Sequence, residues 1–177
     1  MTPRIRAAFP TEAGPTGDIL YQFQENTDWM PKLYTEVEII SFCGAMIDRG
    51  WVTVADESGQ VVGFLARDGE EICGLYTLRG AGRKGVGKLL LDHAKSQSPR
   101  LTLRVFQVNK GAVRFYRREG FVVTGKSDGS ANDEGLPDLA LTWQAPMVLP
   151  PESRLDEAAD EAPADANPKI TDKENGA

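Results

Sequence analysis

The stretch Leu75-Tyr76-Thr77-Leu78, then Arg79 through Lys84, then Gly85-Val86-Gly87-Lys88-Leu89-Leu90-Leu91 constrains this chain most. It reads as a strand, a glycine- and cation-rich loop, and an amphipathic helix. Such a loop turns several backbone N–H groups and the positive end of a helix dipole toward one anion. Gly85 and Gly87 carry no Cβ, so a phosphate can come close to the backbone. A phosphate-bearing ligand is therefore expected here.

Three phosphate-binding patterns overlap on these residues. Gly80-Ala81-Gly82-Arg83-Lys84-Gly85 fits the dinucleotide pattern G-x-G-x-x-G, which needs an acidic residue at the end of the following strand. That strand, Leu101 to Phe106, ends in Gln107, and the loop follows the fourth strand instead of the first. Gly82 to Lys88 fits the opening of a P-loop, G-x-x-x-x-G-K, whose next residue supplies a hydroxyl to magnesium. Here that residue is Leu89, so the metal has no anchor. Both nucleotide readings fail at a chemically required position.

The third pattern needs the second half of the chain. Leu101-Thr102-Leu103-Arg104-Val105-Phe106 alternates as a strand. It is followed by Asn109, Lys110, Gly111 and Ala112, then Arg114-Phe115-Tyr116-Arg117-Arg118-Glu119-Gly120-Phe121. With Gly85 and Gly87, the residues Asn109, Ala112, Phe115, Tyr116, Gly120 and Phe121 resemble the two signatures of the GNAT acyl-CoA N-acyltransferases. Where that family has Arg or Gln ahead of its two glycines, this chain has Gly82, with Arg83 and Lys84 beside it. The signatures cover residues 75–121, and the strand order extends the likeness to about 4–144.

The resemblance implies an α/β (α+β) fold with a mixed, mostly antiparallel sheet. It implies about six to seven strands flanked by about four helices, with strands four and five splaying into a V. Acetyl-CoA is then the acyl donor and a small-molecule or peptide amine the acceptor, with no metal. The backbone of Leu75, Tyr76, Thr77 and Leu78 would pair with the pantetheine arm and polarise the thioester carbonyl. Arg83, Lys84, Gly85, Val86, Gly87 and Lys88 would hold the pyrophosphate, and Asn109, Ala112 and Phe115 would line the arm. Tyr116 would protonate the departing thiolate as general acid. Glu71, with Glu70 beside it at the start of strand four, is the candidate general base. His93 falls on a helix surface. A carrier of acyl-CoA without turnover is the alternative within the same fold.

The acceptor side is expected from two loops. One holds Trp29, Met30 and Pro31. The other, Asp128 to Asp138, holds Asp133 and Glu134, either as turn chemistry or as an attractor for a cationic amine. An EF-hand starting at Asp128 would need glycine sixth and glutamate twelfth; Asp133 and Leu139 stand there, which argues against calcium.

Periodicity and breakers order the remaining elements. Arg4 to Ala8 is a strand, and Thr11 begins a helix to about Glu25. Thr35 and Glu38 form a capping box for a helix to about Arg49. Trp51 to Asp56, Val61 to Arg67 and Glu71 to Leu78 are strands. A helix runs from Gly85 to about Ser96, another from Gly111 to Glu119, and strands occupy Phe121 to Lys126 and Leu139 to Trp143. Cys43 and Cys73 lack metal or disulfide spacing and are expected to pack as small apolar residues.

Charge divides the 177-residue chain unevenly. The expected domain, 1–144, holds 17 bases and 18 acids, whereas 145–177 holds three bases and eight acids. That tail, rich in Ala, Pro, Asp and Glu, is expected to be disordered. The acidic balance argues against nucleic acid as a main partner. With no signal peptide or long apolar span, a cytoplasmic protein without membrane contact is expected. Oligomeric state has no sequence signal.

Overall fold

Val61 through Ala66 are all buried, without the alternation of a strand that has one wet face. A continuous apolar run of this kind belongs to a strand covered on both sides. The computed structural model, which describes residues 2–149, places it near the middle of a seven-stranded sheet. In chain order the elements are β1 (Arg4–Ala7), α1 (Ala13–Asn26), α2 (Glu36–Asp48), β2 (Val52–Glu57), β3 (Gln60–Asp68) and β4 (Glu71–Thr77). Then follow α3 (Val86–Gln97), β5 (Arg100–Phe106), α4 (Lys110–Arg118), β6 (Val122–Ser127) and β7 (Asp138–Gln144). The spatial order is β1-β2-β3-β4-β5-β7-β6, and among the described residues only β4 and β5 pair in parallel. The expected sheet, helix count and central splay are all present.

Two apolar clusters cover the two faces. On one, Val86, Leu90, Leu91 and Ala94 of α3 pack with Leu65, Ile72, Leu101, Leu103 and Leu141. On the other, Ile19 of α1 and Ile39, Cys43, Met46 and Ile47 of α2 pack over Val54 and Phe64. Gly63 lets α3 approach: a Cβ there would lie 3.0 Å from Val86 Cγ1.

Two bulges set which residues face which side. Ala55 pairs with Gly63 but Asp56 with Val61, leaving Val62 unopposed. Ala66 pairs with Gly74 but Arg67 with Ile72, leaving Cys73 unopposed. The second bulge shifts the pleat, so Ile72 and Leu75 share the α3 face although they stand an odd three positions apart. It also corrects the reading of Cys73, which is exposed instead of packed because the bulge turns it out of the ladder. Cys43 is buried as expected.

The first helix also differs from expectation. Pro10–Glu12 form a short 3₁₀ turn, and α1 begins at Ala13 with Pro15 in its first turn, where a missing N–H is harmless. The capping box of α2 is present as read: Thr35 Oγ1 accepts from the Glu38 N–H at 3.3 Å, and Glu38 accepts from the Thr35 N–H at 2.8 Å. Thr35→Ala is expected to cost about 1 kcal/mol of folding stability. Urea unfolding checks this, with a lower midpoint at an unchanged slope.

The residues up to Ala145 form one compact unit. No helix among the described residues is long and apolar enough to cross a membrane. The acidic segment read as a disordered tail lies, from residue 150 on, outside the described residues.

Candidate active site

Strands β4 and β5 pair only at Glu71 with Thr102 and Ile72 with Leu103, then part. Beyond Ile72, one edge of β4 therefore has no strand beside it. Alternation decides which groups face that opening. The Leu78 N–H is already given to Val62 O at 2.8 Å on the β3 side. Counting back, Tyr76 points its backbone the same way, and Leu75 and Thr77 point into the splay. Of the four backbone positions expected to meet a ligand arm, two face the opening and two are held by β3.

Two depressions meet along this opening. One, of about 390 Å³, is lined by Leu75, Thr77, Gly82, Arg83, Gly85, Gly87, Lys88, Ala112, Phe115, Tyr116 and Arg118. The other, of about 280 Å³, runs from Ile72 to Thr77 on β4 and from Leu103 to Phe106 on β5, with Phe23, Asn109, Ala112 and Tyr116. Leu75, Thr77, Ala112 and Tyr116 line both.

The first depression offers groups that can hold an anion. Gly82–Lys84 form a 3₁₀ turn, and Gly85 caps it with φ +78°, a left-handed value that favours glycine. Helix α3 starts at the next residue, so the N–H groups of Val86, Gly87 and Lys88 have no intrahelical acceptor. Arg83 and Lys84 are exposed and carry no ion pair among the described residues, leaving both charges available. Lys88 is engaged, its Nζ 2.9 Å from Asp92 and 3.4 Å from Glu119. Gly82 has a local reason, since a Cβ there would lie 3.2 Å from Thr77 Oγ1. The loop sits closer to the end of β4 than a larger residue allows without a small shift.

Tyr116 stands where the depressions join. Its ring is packed against Phe115 at 5.2 Å and Phe121 at 5.5 Å between centroids, and the residue is 8% exposed. Its hydroxyl has no hydrogen-bond partner among the described residues. It is not sealed off either, because no fully buried side-chain N or O atom there lacks a partner. The hydroxyl therefore opens to the cleft. Burial raises its pKa well above the ordinary tyrosine value, so the phenol stays protonated. Asn109 is the N-cap of α4, its Oδ1 accepting from the Ala112 N–H at 3.2 Å. Its Nδ2 makes no hydrogen bond among the described residues and is free to donate to a ligand.

The acceptor-side residues come together in part. Trp29 packs edge-on against Phe106 at 5.9 Å and Phe23 at 6.1 Å, backing an aromatic wall of the second depression. Met30 is half-buried in the same loop and does not line the cleft. The Tyr34 hydroxyl donates to Asp133 Oδ2 at 2.9 Å, which ties the loop before α2 to the loop between β6 and β7. Asp133 is thereby occupied, and the Tyr76 phenol is raised by burial first and then by the charge of Glu134. Glu71 is exposed and outside both depressions, and Glu70 is paired with Arg100 at 2.7 Å. Sequence reading missed Phe23, Phe106, Arg118 and the Tyr76 side chain. For Phe106, its place at the end of the alternating fifth strand was the available signal.

The residues 48–123 match the family model described as an acetyltransferase (GNAT) domain. The chain is 32% identical over 142 residues to the 5-NmdU N-acetyltransferase of Pseudomonas phage PaMx11, covering 75% of this chain and 94% of that protein. It is a GNAT acetyltransferase-family protein. Similarity also extends to the peptidyl-lysine N-acetyltransferase YjaB of Escherichia coli, 40% identical over 93 residues and 52% of this chain. That alignment spans 63% of YjaB, and the one with its Salmonella typhimurium counterpart spans 58%. The solution structure of apo YjaB from Escherichia coli superposes with a TM-score of 0.69 at 29% identity. It covers 82% of this GNAT chain and all of that one.

Proposed function

We propose that this protein is an N-acetyltransferase that moves an acetyl group from acetyl-CoA to a primary amine of the lysine type. The observation that carries this is the junction of the two depressions at Tyr116. A free-edged strand, an anion-binding loop and an unbonded, protonated phenol meet there. The names of the YjaB relatives support lysine as the acceptor class.

The residues present fit the donor. The N–H groups of Val86 and Gly87, with Arg83 and Lys84, take the pyrophosphate. The Leu75 and Thr77 backbone pairs with the pantetheine arm, and Ala112 and Phe115 bound it on the α4 side. Polarisation of the thioester carbonyl by β4 N–H groups then makes the acyl carbon open to direct attack by the amine in a ternary complex. The amine attacks in its neutral form, its ammonium proton having passed to solvent. As the C–S bond breaks, Tyr116 gives its proton to the thiolate and the resulting phenolate takes the proton that leaves the amide nitrogen. Glu71 has no role in this reading, because the cleft lining begins at Ile72.

Calorimetric titration with acetyl-CoA tests the donor site, with magnesium-ATP and NAD as controls. Binding on the order of micromolar is expected for acetyl-CoA and none for the controls. Arg83→Ala with Lys84→Ala should weaken it by about threefold to tenfold, less at high salt because both charges are exposed. Release of free thiol on adding a lysine peptide tests turnover. Equal binding of ATP and acetyl-CoA would overturn the reading.

A further inference from the structure

Tyr76 is expected to meet a donor through its backbone, yet that backbone is turned to β3. Its side chain takes another direction. A Cβ on Gly74 would lie 2.7 Å from Tyr76 Cε2 and 3.7 Å from Cζ, so the ring lies along β4 directly over that glycine. Phe23 at 5.2 Å and Phe64 at 5.6 Å hold the ring in place from α1 and β3. It lines the second depression and packs against the α1–α2 cluster, whereas α3 packs in the other cluster. Its hydroxyl has no hydrogen-bond partner among the described residues, and by the same reasoning as for Tyr116 it is not sealed from the cleft. An aromatic ring held this firmly with an unused polar end is arranged to receive a ligand group.

The surroundings say which kind. The Glu134 carboxylate acts on this phenol, which burial and that charge push up to about 12. A phenol that stays protonated keeps two lone pairs for a donor and one O–H for an acceptor. Within the field of a carboxylate and against an aromatic wall, the fitting partner is a primary alkylammonium with an aliphatic stem.

We propose that the Tyr76 side chain, seated on Gly74, is an acceptor-binding residue for a primary alkylammonium group, with Glu134 acting on that group through its charge from outside the lining of the depression. The proposal rests on the amine-acceptor reading above, and it assigns the second depression to the acceptor. The ammonium donates to the Tyr76 oxygen while Glu134 offsets its charge, and the stem lies against Phe23 and Phe106. Glycine at 74 is then a requirement of acceptor binding, because any side chain there would push the ring off its seat.

The test uses the full chain saturated with coenzyme A, so that no turnover occurs. A short end-blocked peptide with one lysine is titrated in, alongside its norleucine counterpart and n-butylamine. The lysine peptide should bind and the norleucine peptide should not. Tyr76→Phe, which keeps the ring, should weaken lysine-peptide binding about tenfold, the scale of one hydrogen bond to a charged group. Glu134→Gln should also weaken it, with coenzyme A affinity and melting temperature unchanged in both. Gly74→Ala should lose peptide binding with the hydroxyl still present, and adding it to Tyr76→Phe should cost less than the separate losses combined.

Equal binding of lysine and norleucine peptides, no lysine-peptide binding, or wild-type affinity in Tyr76→Phe would each overturn the subsite. So would a loss of coenzyme A affinity in Tyr76→Phe, which would assign the side chain to the donor. Butylamine binding as tightly as the peptide would assign the subsite to a free small amine. A separate thiol-release assay keeps the two readings apart: Tyr76-dependent binding without turnover retains the subsite and ends the transferase reading.

Discussion

Tyr116→Phe lowers kcat by about 100-fold or more while acetyl-CoA affinity stays within about twofold, the pattern of a lost general acid. The substitution removes one atom from a site where it makes no protein hydrogen bond. The ring contacts with Phe115 and Phe121 remain, so the fold has little reason to change. A merely structural tyrosine would show the reverse, with a shifted melting temperature and unchanged kcat. The pH behaviour follows from the same burial. The folded phenol keeps its proton above the ordinary tyrosine value, so kcat should show no loss of the acid form at neutral or mildly alkaline pH. Stability should fall as pH rises past about 10, where the unfolded chain releases the proton that the folded chain retains. Tyr76 adds to the same slope, since its pKa is also raised. Single-turnover kinetics with Tyr116→Phe, beside calorimetry, separate the chemical step from binding. Full activity in that variant would remove Tyr116 from the mechanism.

What the sequence made legible is what local chemistry determines. The Thr35–Glu38 box spans one helical turn, and the structure closes both of its hydrogen bonds. The Gly85–Gly87 loop and the run from Asn109 to Phe121 are contiguous, so their spacing alone implies strand, loop and helix. The burial of Val61 to Ala66 follows from an unbroken apolar run. Bulges were not legible. Nothing in Glu71-Ile72-Cys73-Gly74 announces that Cys73 drops out of register, because a bulge is settled by the match between two strands. The backbone alternation along β4 went unread for the same reason, and with it the exclusion of Tyr76 and Leu78 from the open edge. The acceptor side depends on still longer range. Tyr34 and Asp133 are separated by 99 residues, and neither is marked by its neighbours as the other's partner.

The loop between β6 and β7 shows how one acidic segment divides its work. Asn132 staples it, donating to Leu136 O at 2.8 Å and accepting from the Leu136 N–H at 3.2 Å. Asp128 accepts from the Ser130 N–H at 2.9 Å, and the buried Asp138 accepts from Ser127 at 3.0 Å and Arg104 at 3.1 Å. These are turn and closure roles. Asp133 ties the loop to Tyr34 at 2.9 Å, and Glu134, beside it, makes no side-chain hydrogen bond or ion pair among the described residues. The turn reading of this segment thus holds for Asp128, Asn132 and Asp138, and the amine-attracting reading rests on the proposed role of Glu134.

Closure depends on Gly129, which gives the largest expected loss of stability. Its φ is +87°, and a Cβ there would lie 2.6 Å from Leu136 O and 2.7 Å from Leu136 N. Those are backbone atoms held by Asn132, so no side chain can rotate to make room. Gly129→Ala is expected to cost about 2–4 kcal/mol, combining left-handed strain with overpacking. For a chain of this size that lowers Tm by about 5–15 °C. The loss should not be uniform across function. The anion-binding loop and Tyr116 lie on other elements, so acetyl-CoA should still bind below the lowered Tm. The Tyr34–Asp133 contact and the placement of Glu134 depend on the loop, so KM for the amine should rise more than kcat falls. Calorimetry with acetyl-CoA and steady-state kinetics at a temperature where the variant is folded separate these effects. An acceptor KM unchanged in a folded, destabilised Gly129→Ala protein would detach this loop from the acceptor and leave it a structural closure only.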